Sequence, residues 1–326
     1  MGYRICVDIG SSAIKALVGQ HRGSKFVIED FFIQRYDPRF NSDKHLSVAL
    51  KELLWEMDLR SGYLHVAISS AYAIFRYAMF PDVDVRELES VLASEGKRYI
   101  PNKKSDVILQ GMPFQSKGKL KEPILLVGVE RTYLERIDYV VRAIGFRSRF
   151  VSVDSLILAN LVSYINPFFP SLVCVVDIGY RLTKIMILKG DKIVFIRSAK
   201  VGSFDIDLLI HERLDVALEA AEAIKKGENA IADVISLSNR ILNYLCDEIY
   251  ISIDFYESQF GEVPEKMFIT GGGAKLKGLD ELLSEKLGLE VFLFHLPESK
   301  ILCYNNDKEF WKYQQELMVA VGLLLV

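Results

Sequence analysis

Val7-Asp8-Ile9-Gly10 recurs letter for letter as Val176-Asp177-Ile178-Gly179, 169 positions later in a chain of 326 residues. Repetition at a fixed long offset is the mark of related structural units in one chain, provided the flanking patterns agree. Here they agree. Each copy closes an apolar run, residues 4–9 and 172–178. Each leads into a short turn, Gly10-Ser11-Ser12 and Gly179-Tyr180-Arg181. A second apolar run follows, 13–18 and 183–188, then a turn containing Gly, then a third run, 26–32 and 193–196. The spacing predicts a three-stranded antiparallel meander at the start of each half, and two related domains packed face to face.

The length agrees with two domains, since single cores stop growing near about 250–300 residues. With 50% hydrophobic and 25% charged residues the chain is globular rather than disordered. A net charge of -3 offers no basic field for nucleic acid. The densest basic cluster, Lys97, Arg98, Lys103 and Lys104, reads as a solvated helix end and loop. The N-terminus enters a strand directly, without the basic and apolar regions of a secretory signal. No run approaches the roughly 20 apolar residues of a membrane span; the longest, 317–326, is far too short. Cys6, Cys174, Cys246 and Cys303 form no metal or redox spacing and read as buried small hydrophobes in a reducing cytoplasm.

Between the two meanders the pattern predicts a helix over 43–57 and a strand over 63–69. An insertion at about 76–148 has its own elements: a strand at 75–80, a helix opened by Asp84 and Glu87 as a capping box, strands at 107–111 and 124–130, and a helix over 132–144 closed by Gly145. A strand entering a helix over 150–165 then crosses to the second half. There, helical periodicity covers 206–226 and 230–260, the latter through Ile231, Val234, Leu237, Ile241, Leu245 and Ile249. A strand at 267–270 runs into Gly271-Gly272-Gly273; a helix at 279–287 stops at Gly288, a strand covers 291–294, and a helix over 309–325 closes the chain. The expected domains are 1–170 with the insertion, and 171–326 with a helical subdomain at about 203–265.

Three segments carry chemistry. The turn Gly10-Ser11-Ser12 exposes backbone N–H groups and two hydroxyls, a nest suited to anionic oxygens. Lys15 returns on the outgoing strand within reach of a phosphate, and Asp8 ends the incoming strand, placed to hold hydrated Mg²⁺. Asp177, Gly179 and Thr183 repeat the theme, Asp177 as a second magnesium carboxylate, so that the two hairpins would take the phosphates from opposite sides of a cleft. Gly271, Gly272 and Gly273, with Lys275 behind them, allow close backbone approach to something flat or charged. A plain polar hairpin and a flexible loop are the alternatives. There is no G-x-G-x-x-G after the first strand and no G-x-x-x-x-G-K-[ST], which excludes the common dinucleotide and P-loop motifs.

Two Asp-Gly hairpins and a late Gly-Gly-Gly loop, in this order, resemble the actin-like ATPase superfamily, whose members include actin, sugar kinases, chaperone ATPases, FtsA and PilM. Within it the chain most resembles the PilM family of type IV pilus assembly proteins. The similarity lies in Phe80-Pro81 followed by Glu87, Glu95 and Arg98-Tyr99-Ile100-Pro101, in Gly272-Gly273-Ala274-Lys275-Leu276-Lys277-Gly278-Leu279, and in Val319-Ala320-Val321-Gly322-Leu323. The resemblance implies an α/β fold of two actin-like, ribonuclease H-like domains with inserted subdomains and ATP–Mg²⁺ in the cleft between them. It implies that Glu222 and Lys225 of Ala221-Glu222-Ala223-Ile224-Lys225 edge the ribose and adenine, a solvated charge pair being the alternative. It implies that Asp154 orients the attacking water, helix capping being the alternative. It also implies a cytoplasmic protein at the inner membrane, docked on the tail of a PilN-like protein and able to self-associate. An FtsA-like division filament and a small-molecule kinase are the competing readings. The chain departs from the family at Tyr180 and Arg181, and at Gly202, a single Gly where a Gly-rich turn is usual; both departures weigh against fast hydrolysis more than against nucleotide binding.

Overall fold

The computed structural model describes residues 2–36, 42–80, 82–100, 106–113, 118–120, 123–166, 172–225 and 234–326. The first repeat forms the expected meander, β1 (Arg4–Ile9), β2 (Ala13–Arg22) and β3 (Lys25–Arg35), with Asp8 directly opposite Lys15 in the antiparallel register. Helix α1 (Asp43–Glu56) starts at Ser42, whose hydroxyl accepts the His45 N–H. β4 (Gly62–Ile68) then joins β1 in parallel.

The insertion builds a separate sheet from β5 (Ala73–Ala78), β6 (Val107–Met112) and β7 (Ile124–Glu130), in the order β5-β7-β6. Asp84 accepts the Arg86 N–H, but it opens a short 3-10 turn at Val85–Glu87, and helix α2 (Leu88–Glu95) begins only after that turn. A small core of Phe80, Leu88, Leu92, Ile124 and Leu126 holds helix and sheet together. Helix α3 (Arg131–Ala143), β8 (Phe146–Val153) and α4 (Asp154–Ile165) return the chain to the first domain, β8 pairing in parallel with β4.

The second repeat gives β9 (Leu172–Ile178), β10 (Thr183–Lys189) and β11 (Lys192–Ala199). Every residue of β9 is buried, which is why its sequence runs apolar without alternation. The single helix expected over 206–226 is two, α5 (Ser203–Leu214) and α6 (Leu218–Lys225), broken where Asp215 adopts a left-handed φ of 50°. Helix α7 (Val234–Phe260), β12 (Lys266–Thr270), α8 (Leu279–Leu287) and β13 (Glu290–Leu293) complete the second sheet, ordered β11-β10-β9-β12-β13. The expected helix start at Ala230 and Ile231 lies outside the described residues, as do Pro81, Pro101, Lys103 and Lys104.

The chain's last segment departs from the expected boundary of 171–326. β14 (Ile301–Cys303) pairs in parallel with β3, so the first sheet reads β14-β3-β2-β1-β4-β8. Helix α9 (Asp307–Gly322) packs beside α4 and over β1 and β2. From Leu317 to Gly322 α9 is buried on all sides, and such a helix must lie between two layers. A single core joins the first sheet, α4 and α9 to Val173, Val175, Met186 and Leu188 of the second sheet. The other face of that sheet packs on α5, α6, α7 and α8. Above the shared core, the ends of β1, β9 and β12 open onto one cleft. No helix among the described residues is long and apolar enough to cross a membrane.

Candidate functional site

Both hairpins point an aspartate and a lysine into this cleft. Lys15 Nζ lies 2.9 Å from Asp8 Oδ2. In the second hairpin the register sets Asp177 opposite Lys184, and Lys184 Nζ lies 2.5 Å from Asp177 Oδ2. The repeat thus extends to the lysine: Lys184 stands at the same offset from Lys15 as the second VDIG from the first. Thr183, expected to offer its hydroxyl to a phosphate, does not line the cleft. It is fully buried, and its hydroxyl donates to the Val201 carbonyl at 2.8 Å. Neighbouring residues on a strand face opposite ways, so placing Lys184 in the cleft turns Thr183 away from it.

Asp154 occupies the first turn of α4 and sits at a junction of several elements. Its Oδ1 accepts the Ser70 N–H at 3.0 Å, the Ser155 N–H at 2.7 Å and the Ser70 hydroxyl. Its Oδ2 lies 2.8 Å from Lys184 Nζ. One carboxylate therefore ties the segment after β4, in the first domain, to β10 in the second. Burial works against the charge on Lys184, but Asp154 and Asp177 outweigh it and hold its pKa above the ordinary lysine value. Burial pushes the Asp8 carboxyl upward, opposed by Lys15 and reinforced by Asp154.

The glycine loop follows β12. Gly271 has φ 85°, and a Cβ there would collide with Asp177 Oδ1 and come within 2.6 Å of the Ile178 carbonyl oxygen. A Cβ on Gly273 would collide with the Ile178 side chain. Both positions need glycine for the close packing of the loop on the end of β9. Only Gly272 has room, its Cβ meeting Glu316 Cγ at an ordinary 3.5 Å.

At the rim, Glu316 of α9 receives Lys275 Nζ at 3.0 Å and Arg35 Nη2 at 3.2 Å. Arg35 also approaches Glu222 at 3.9 Å. Lys225 pairs with Asp207 at 2.6 Å and donates to the Ser203 carbonyl. Asp8, Gly10, Ser11, Ser12, Lys15, Asp154, Asp177, Gly179, Glu222, Lys225, Lys275 and all three loop glycines line one cavity of about 560 Å³. Of the sequence-derived set only Thr183 falls outside it. Lys184, Arg35, Tyr313 and Glu316 are lining residues that local motifs did not mark. Lys184 carried a signal in the repeat offset; Arg35 and Glu316, 281 positions apart, carried none. Tyr180 lines the cavity, whereas Arg181 lies 4.5 Å above the Phe204 ring, outside it.

Burial raises the Glu316 pKa, but Lys275 and Arg35 lower it more, and it ends below the usual carboxylate value. A depressed folded-state pKa supplies stability that is complete above the unfolded value and drains away as pH falls through the folded one. Glu316→Gln is therefore expected to be less stable than wild type at neutral pH, by about 1–2 kcal/mol given the half-exposed cations, and the gap should narrow as pH falls below the ordinary glutamate value of about 4.3 toward the depressed folded one. Thermal melts of both proteins across pH 3.5–7.5 check it; a gap independent of pH would mean that the ion pairs do not form.

A divalent ion was expected at Asp8 and Asp177, and the donor set does not suit one. Magnesium demands near-octahedral oxygen ligands. Asp8, Asp154 and Asp177 each turn an oxygen onto a lysine ammonium. No cluster of three or more acidic, histidine or cysteine side chains placed to hold a metal occurs among the described residues.

Two mixed-sheet domains, sharing a pair of core helices beneath a cleft at their strand ends, define an actin-like ATPase fold. The chain belongs to the type IV pilus assembly protein PilM family, whose model matches residues 6–326. It superposes on a chain of a PilM-PilN type IV pilus biogenesis complex with a TM-score of 0.87 at 23% identity, covering 99% of this chain and 97% of that one. MreB5 of Spiroplasma citri bound to ADP shares the fold with a TM-score of 0.57 at 12% identity, covering 99% and 95%. Cell division protein FtsA of Staphylococcus epidermidis is 22% identical over 90% of this chain and 74% of its own length.

Proposed function

We propose that the chain is an ATP-binding assembly protein of a type IV pilus or related secretion machine, which docks the cytoplasmic tail of a PilN-like inner-membrane protein. The observation that carries this reading is the single cavity into which both Asp–Lys hairpins, the glycine loop and the Glu222–Lys225 helix converge. Its volume lies in the range of nucleotide and cofactor sites. The opposed turns would take the phosphates, and α6 with the glycine loop would take the nucleoside. Since Asp154 is occupied on both oxygens, no positioned base for water remains in evidence at its place, and the reading is of binding with slow or no hydrolysis. A nucleotide spanning both hairpins would bias cleft closure and so the surface offered to the partner. The protein would sit in the cytoplasm, held at the inner membrane through that partner.

Equilibrium binding of a fluorescent ATP analogue tests the nucleotide half. Wild type is expected to bind, and Lys15→Ala to bind at least about tenfold more weakly, as loss of a charge-assisted phosphate contact implies. Equal affinity of the two would remove the first hairpin from the site. For the partner half, a synthetic tail peptide of the PilN-like protein is titrated with and without ATP; no binding in either condition would sink the docking claim.

A further inference from the structure

We propose that the Lys184 ammonium takes the place of a divalent cation in this cleft, so that nucleotide is held without magnesium. The inference rests on the nucleotide reading of the cavity and narrows it to a metal-free mode. Lys184 is buried to 8% exposure and lies within 2.5 and 2.8 Å of the two carboxylates that converge from separate elements, Asp177 at the end of β9 and Asp154 at the start of α4. Those distances are charge-assisted hydrogen bonds, and they engage Oδ2 of each carboxylate, an oxygen that a metal or its water shell would otherwise use.

The lysine cannot swing aside cheaply, because its departure would leave two buried carboxylates facing each other uncompensated. Lys15 performs the same service for Asp8 across the cleft. Two ammonium groups, one fixed to each domain, thus put two positive charges into the cleft against the carboxylates of Asp8, Asp154 and Asp177, as one divalent ion would. Arg35 and Lys275 stand further out on the rim of the same cavity.

The test measures binding of a fluorescent ATP analogue to the full chain in excess EDTA and in magnesium, with unlabelled ATP as competitor. Wild type is expected to give Kd values within about threefold of each other, less than 1 kcal/mol. For Lys184→Met, which bares Asp154 and Asp177, affinity in EDTA should fall about tenfold or more, with magnesium restoring much of it. Thermal melting without nucleotide adds an independent readout: magnesium should leave wild type unmoved and stabilise Lys184→Met. A tenfold or greater weakening of wild type in EDTA would overturn the proposal, and so would a wild-type melt that rises with magnesium. The wild-type arms decide the question even if Lys184→Met does not fold. Absence of binding in both buffers would instead overturn the nucleotide reading on which the proposal stands.

Discussion

Asp154→Ala should destabilise the protein by about 3–5 kcal/mol, the size expected when one partner is removed from a buried ionic network. The change strips acceptors from the Ser70 N–H and hydroxyl and from the Ser155 N–H, and removes one of the two carboxylates facing Lys184. Its effect falls on the joint between the halves, because Ser70 follows β4 and Lys184 lies on β10. Denaturant unfolding of wild type, Asp154→Ala and Asp154→Asn reads the loss. Asp154→Asn keeps an oxygen for Ser70 and Ser155 but gives up the charge, and should fall between the other two. The double variant Asp154→Ala with Lys184→Met should cost less than the two singles combined, by roughly 1–3 kcal/mol, since each removes the other's partner. A loss below about 1 kcal/mol for Asp154→Ala would mean that the tether does not form.

What the sequence made legible is local. The two meanders follow from apolar runs interrupted by Gly-containing turns, and the first phosphate-type turn follows from Gly10-Ser11-Ser12, because backbone direction and residue size are properties of a few neighbouring residues. The second hairpin shows where that logic stops. Thr183 offers hydroxyl chemistry, yet strand alternation sends it into the core and Lys184 into the cleft. The offset of 169 applied to Lys15 would have found the lysine.

Other features had no local signature. β14 has three residues and exists because β3 offers an open edge, which only the assembled sheet provides. The break between α5 and α6 contains neither Gly nor Pro; Asp215 takes the left-handed turn that ends the helix. Arg35, Lys275 and Glu316 meet only because α9 is buried between the domains. Even the triple glycine was half legible. Its sequence announces close approach, but whether the close neighbour is a ligand or the chain itself depends on β9 lying alongside.

Gly271→Ala separates those two causes. The left-handed φ of 85° costs an alanine about 1–2 kcal/mol before any contact is considered. Its Cβ would then press on Asp177 Oδ1 and on the Ile178 carbonyl oxygen 2.6 Å away, and the carbonyl is backbone within a fully buried strand. Relief requires moving Asp177, which pulls it from Lys184 and loosens the second hairpin. The combined loss is expected to reach about 3 kcal/mol or more, visible as a fall in Tm of several degrees, with nucleotide affinity reduced by more than about tenfold. Gly272→Ala is the contrast. It lies in the same loop and the same cavity wall, but its Cβ meets only the Glu316 side chain, nearest at 3.5 Å, so its stability should stay within about 1 kcal/mol of wild type. If the loop's glycines were needed only to admit a ligand, Gly272→Ala would impair binding as much as Gly271→Ala and neither would alter the melt. Packing against β9 predicts the opposite ordering: a large loss of stability and binding at 271, and at 272 a protein that melts like wild type.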